Sequence, residues 1–160
     1  MDKLIVGILV VCFTTFFGRF LSKKYRQRKA FFLQWSLFNE RFLGEVSYYR
    51  RPIKEFYEKY VYQGEFNDFL QSFLENLSNA EGKDVYEGLS FLEKDDIATV
   101  KDYFQMLGKG DSGTQKAYFT SVKSTLSTRL SVAETDAKKY GDLYLKLGFL
   151  CGLALLIVIV

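Results

Sequence analysis

Histidine is missing altogether from these 160 residues, and cysteine occurs only twice. Without imidazole there is no Ser–His–Asp triad and no mixed His–Cys zinc site. Cys12 and Cys151 both fall inside apolar end segments, where a thiol serves as a small apolar side chain rather than half of a disulfide. They leave the redox compartment open. A single proline, Pro52, and few Gly–Pro clusters argue against an all-β fold. The net charge of +3 is too small to suggest nucleic-acid binding. No phosphate-binding loop is present either. The glycine-rich run Gly108-Lys109-Gly110-Asp111-Ser112-Gly113 follows a helical pattern and lacks a lysine–hydroxyl ending, so it reads as a turn and helix cap. Glu93, Asp95 and Asp96, like Asp84 and Glu87, read as solvated helix starts with no cleft to raise a carboxyl pKa. The expectation is a protein with no catalytic residue, no metal and no cofactor.

What is present is apolar sequence at both ends. Leu4 to Phe20 carries Arg19 as its only charge and spans about 26 Å as a helix, enough to cross a bilayer once flanking residues snorkel. A cleaved signal peptide would place its basic residues before the apolar run and a small-x-small site after it; here the basic cluster follows. A lipoprotein site at Cys12 is disfavoured by the bulky Val11. Leu143 to Val160 spans about 27 Å, with Lys146 reaching for the headgroups. A buried core helix is the competing reading, but every face of its last two turns is apolar.

Basic residues flank the inner edges of both segments: Arg19, Lys23, Lys24, Arg26, Arg28 and Lys29 after the first, Lys138, Lys139 and Lys146 around the second. Positive charge stays cytoplasmic, so both termini are expected outside and the middle in the cytosol. Gly148 and Gly152 form a small-xxx-small repeat, with Ala154 nearby, that lets another helix approach closely. Its partner would be the first span, through Gly7, Thr14 and Gly18, or another protein.

Between the ends, apolar periodicity of three and four predicts helices. Phe31, Trp35, Phe38, Phe42, Val46 and Tyr49 mark one that continues from the first span and stops before Pro52. Ile53, Phe56, Tyr57 and Tyr60 give a short helix ended by Gly64, and Phe66, Phe69, Phe73 and Leu77 a third. A short helix near Asp84 to Leu92 precedes one marked by Ile97, Val100, Phe104 and Leu107, closed by Gly108 and Gly110. Ser112 to Gln115 has the form of a capping box. The helix it opens carries Phe119, Val122, Leu126, Leu130, Ala133, Ala137, Tyr140 and Tyr144 and runs unbroken into the last span, with Glu134 and Lys138 as an i,i+4 pair. The expected fold is all-α: an antiparallel bundle of about six helices over residues 22–142, flanked by membrane helices at 1–21 and 143–160.

The run Leu107-Gly108-Lys109-Gly110-Asp111 to Gln115, followed by Lys139-Tyr140-Gly141-Asp142-Leu143-Tyr144-Leu145-Lys146-Leu147-Gly148-Phe149-Leu150 and Gly152-Leu153, resembles the stage III sporulation protein AB family. The chain departs from that pattern in its aromatic Phe31, Phe32 and Trp35 and in lacking a threonine before Pro52. The resemblance implies a soluble domain similar to the cytoplasmic helical domains of F-type platform proteins of type II secretion. It also implies a place on the mother-cell side of the complex that links mother cell and forespore. The partners it implies are an ATPase resembling stage III sporulation protein AA, the other subunits and the membrane, with homo-oligomerisation left open. Gly108, Asp111 and Gln115 would be structural. Glu40, Arg41 and Glu45 are the expected partner surface. A channel subunit is the alternative role, although the spans offer little polar surface beyond Thr14 and Thr15.

Overall fold

A computed structural model describes residues 2–46, 53–79, 84–107 and 112–159, and all regular structure among them is helical. The elements are α1 (Asp2–Leu21), α2 (Lys23–Val46), α3 (Ile53–Lys59), α4 (Gly64–Asn79), a 3₁₀ turn at Glu87–Leu89, α5 (Lys94–Met106) and α6 (Ser112–Ile159). They fall into two compact units, one of residues 1–29 with 132–160 and one of residues 30–131. The division lies deeper along α2 and α6 than the expected membrane boundaries at residues 21 and 143.

Residues 30–131 are built around aromatic rings. Along α2, Phe31, Phe32, Trp35, Phe38 and Phe42 all turn inward, at the spacing that keeps them on one helical face. Trp35 meets Tyr103 edge to face at 5.2 Å, and Phe38 meets Phe56 at 5.3 Å. Phe31 meets Phe66 at 5.3 Å, Phe69 meets Phe104 at 4.9 Å, and Phe42 meets Phe119 at 4.9 Å. Each buried ring contributes about 1.5–3 kcal/mol through removal from water, and each well-angled pair about 1 kcal/mol more. The aromatic departures from the family pattern, Phe31, Phe32 and Trp35, are therefore core residues.

Two polar groups are buried with these rings. Asn39 accepts a hydrogen bond from the Tyr103 hydroxyl at 3.0 Å and donates to the Phe119 carbonyl at 3.2 Å, tying α2 to α5 and α6. Burial raises the Tyr103 hydroxyl well above the usual tyrosine pKa. Asp96 is the second, and here the expectation of a solvated helix start is corrected. Its side chain is fully buried, paired with Arg129, and accepts from the Glu93 backbone N–H at 3.4 Å. Arg129 also donates to Thr99 Oγ1 at 2.8 Å.

Three local expectations change as well. Gly64 does not end α3, which stops at Lys59; it opens α4 with φ +60°, a left-handed conformation that glycine adopts without a Cβ clash. Within 84–92 only the 3₁₀ turn forms. Leu77 does not join the buried face of Phe66 and Phe69 but is 61% exposed. The turn from Tyr49 to Pro52, and Gly108, Gly110 and Asp111, lie outside the described residues.

Candidate membrane-facing helix pair

In residues 1–29 with 132–160, α1 and the C-terminal part of α6 run antiparallel in close backbone contact. The register can be followed along glycines. A Cβ built on Gly7 would lie 3.1 Å from the Leu156 side chain, and one on Gly18 would collide with the Tyr144 carbonyl oxygen. A Cβ on Gly148 would lie 2.6 Å from the Thr14 carbonyl oxygen, and one on Gly152 would lie 2.8 Å from the Val11 α-carbon and against Thr14 Oγ1. Rising numbers on α1 meet falling numbers on α6. Glycine is needed at Gly18, Gly148 and Gly152, where the two backbones approach closer than any Cβ permits, whereas at Gly7 only the Leu156 side chain would have to give.

Gly148 and Gly152 thus meet α1 of the same chain, while Ala154 is exposed. The threonine hydroxyls bond back to their own helix. Thr14 Oγ1 donates to the Val10 and Val11 carbonyls at 3.0 and 3.1 Å, and Thr15 Oγ1 donates to Val11 at 2.7 Å. The donor of each hydroxyl is thus used within α1.

The large apolar side chains point the other way. Phe13 is 71% exposed, and Phe16, Phe17, Phe20, Leu150 and Ile157 are all exposed too. Glycine inside and phenylalanine outside inverts the arrangement of a water-soluble helix pair.

α1 and α2 meet at Ser22 with only a local irregularity, so the continuity expected from the sequence is kept over Ile5–Glu45. The Ser22 N–H still reaches the Gly18 carbonyl at 3.2 Å. The Arg19 carbonyl, however, accepts from Ser22 Oγ at 2.9 Å and from the Arg26 guanidinium at 3.2 Å. Side chains competing for one ladder carbonyl are a known cause of such irregularities.

Just beyond Ser22 the apolar pairing gives way to aromatic and ionic pairing in the same register. Tyr25 stacks on Tyr140 at 4.8 Å and on Tyr144 at 6.1 Å. Arg28, buried, donates to Asp136 at 3.1 Å, and Lys29 pairs with Glu134 at 3.7 Å. Neither ion pair is visible in the local sequence, because the partners are about a hundred residues apart. Of the remaining basic residues singled out, Arg19, Lys23, Lys24, Arg26, Lys138, Lys139 and Lys146 are exposed.

The expected partner surface is engaged within the chain. Glu40 pairs with Lys123 at 3.1 Å. Arg41 lies over the rings of Tyr60 and Tyr62 at 4.8 and 5.2 Å. Glu45 pairs with Lys59, whose pKa it raises, and accepts from the Tyr60 hydroxyl at 3.2 Å. Of the cap residues, Gln115 lies in the first turn of α6, which begins at Ser112. Among the described residues, no three His, Cys, Asp or Glu side chains converge as a metal site would require.

These features define an all-helical protein with two helices long and apolar enough to cross a membrane. The chain belongs to the stage III sporulation protein AB family, whose sequence model matches residues 3–160. That membership ties it to stage III of sporulation. No curated protein and no solved structure matches it.

Proposed function

We propose that this chain is a non-enzymatic membrane platform in the complex joining mother cell and forespore. In this reading α1 and the end of α6 cross the bilayer, both termini lie outside, and residues 30–131 stand in the cytoplasm. There they receive a secretion-type ATPase resembling stage III sporulation protein AA, much as F-type platform proteins serve type II secretion.

The observation that carries the reading is the α1–α6 pair itself, seated on Gly18, Gly148 and Gly152 with its phenylalanines turned outward. In water such a surface would drive aggregation; in lipid tails it has no cost, and close backbone packing holds the helices together. The exposed cations Lys23, Lys24, Arg26, Lys138 and Lys139 follow the apolar stretch on the same side, as a cytoplasmic boundary requires. Sporulation-stage membership supports the setting.

The test is a pull-down of the full chain in detergent with the stage III sporulation protein AA ATPase at several salt concentrations. Retention of the ATPase, weakening as salt rises, is the expected result. No retention at any salt would contradict the docking role.

A further inference from the structure

The chain's charge is unevenly spread. Residues 53–107, which hold α3, α4 and α5, carry twelve Asp or Glu against five Lys and no Arg, a formal net charge of −7 in a chain whose total is +3. Within this acidic stretch, α3 and α4 enclose an open groove of about 380 Å³. Tyr57, Leu74 and Leu77 supply its apolar surface, and Glu58 and Glu75 are exposed at its side, with Lys54 the one cation among them. The walls are held in place. The Tyr57 hydroxyl donates to Asn67 Oδ1 at 3.1 Å, and Gln71 donates to Glu75 at 3.0 Å.

Leu77 is the anomaly that makes the groove informative. It sits on α4 among Ser72, Glu75 and Ser78, yet is 61% exposed. An exposed leucine alone needs no explanation, but one beside a tyrosine-walled groove and two carboxylates has the makeup of an interface centre with a charged rim. The field around it selects the partner, since a like-charged rim repels and an opposite one steers.

We infer that the α3–α4 groove docks a basic amphipathic helix of a partner protein, one apolar side chain entering between Tyr57 and Leu77 while lysines or arginines meet Glu58 and Glu75. The inference extends the platform reading, because it names the surface and the chemistry by which a cytoplasmic partner is held. It names a surface distinct from Glu40, Arg41 and Glu45, whose side chains also pair within the chain.

The test is site-specific photocrosslinking in sporulating cells, with a benzophenone amino acid at Leu77 of the full chain and, as control, at the exposed Thr120 of α6. The crosslinked peptide is then sequenced by mass spectrometry. The expected result is an adduct at Leu77 and not at Thr120, formed with a helical segment rich in lysine or arginine. Glu58→Lys combined with Glu75→Lys should cut its yield by about tenfold or more, because like charges then face each other. Leu77, Thr120, Glu58 and Glu75 are all exposed, so the purified variants should melt close to the wild type.

An adduct with an acidic segment, with this chain itself or with lipid alone overturns the inference. So does the absence of any adduct, or a yield unchanged by the charge reversal. A basic helix from a protein other than the ATPase sustains the groove and leaves the ATPase reading to the pull-down. Retention of the ATPase in the pull-down without the expected adduct sinks the groove and keeps the ATPase reading.

Discussion

Gly18 and Gly148 face each other so closely that a methyl group on either would lie 3.5 or 3.4 Å from the other's α-carbon. It would also strike a backbone carbonyl, of Tyr144 in one case and Thr14 in the other. Backbone atoms cannot step aside as a flexible side chain can. Gly148→Ala should therefore destabilise the full chain in detergent by about 1–3 kcal/mol. Gly141, seven residues earlier on the same helix, has nothing within 4 Å of its Cβ position. Gly141→Ala should stabilise by about 0.5–1 kcal/mol through helix propensity. Thermal or denaturant melts of the two variants check both signs, and equal behaviour would mean the close approach is not a constraint.

The Arg28–Asp136 pair gives a second prediction. Arg28 is 6% exposed, so Asp136→Ala takes a carboxylate partner from a guanidinium held largely out of water. A loss of about 3 kcal/mol is expected, somewhat reduced because the Asp136 side chain is partly exposed. Arg28→Met combined with Asp136→Leu should recover most of it, since neither charge then remains to be solvated. A double-mutant cycle that shows simple additivity would contradict this.

Much of the helical plan is legible in the sequence, and the reasons differ by element. In α6 the stripe of Phe119, Leu126, Ala133 and Tyr140 holds its period over many turns, and the 48-residue helix follows it. Gly64 misled because a glycine after a helical run fits a C-terminal stop as well as a left-handed entry into the next helix, and only φ separates them. Asp96 misled because a first-turn aspartate carries the same local signal whether solvated or buried. Its burial is set by Arg129, thirty-three residues away. The Gly148–Gly152 repeat announced a close approach, but only the three-dimensional register with Thr14 and Gly18 identifies the neighbour.

Alkaline pH should unfold residues 30–131. Burial raises the pKa of Tyr103 strongly, and of Tyr62, Tyr86 and Tyr118 to a lesser degree. The unfolded chain therefore gives up these protons first, near pH 10, and binds fewer of them than the folded chain. Stability should be independent of these groups below about pH 10 and fall as pH rises above it. The share of tyrosinate ultraviolet absorbance lost in Tyr103→Phe should rise together with loss of helical circular dichroism. Tyr103→Phe should make the fall shallower, while costing about 1–2 kcal/mol at neutral pH because Asn39 Oδ1 loses its donor. Tyrosinate absorbance present in the wild type but missing from Tyr103→Phe, and formed well below the unfolding pH, would contradict the burial of Tyr103.

If α6 transmits movement to the membrane, interrupting it should disconnect the two. A flexible glycine linker inserted beside Gly141 should abolish sporulation while leaving the protein in the membrane fraction. Unchanged spore counts would rule out the helix as a coupling element.

The most direct measurement is aqueous thiol labelling of the chain in native membranes. Cys12 and Cys151 are exposed on the outer surface of the helix pair, and Thr120 is exposed on residues 30–131. In intact cells a membrane-impermeant maleimide should leave Cys12, Cys151 and an introduced Thr120→Cys unmodified. Once the cytoplasmic face is opened it should modify position 120 alone, and detergent denaturation should then release the other two. Labelling of Cys12 or Cys151 from water in intact bilayers, or of position 120 in unbroken cells, would contradict the membrane placement on which the platform role depends.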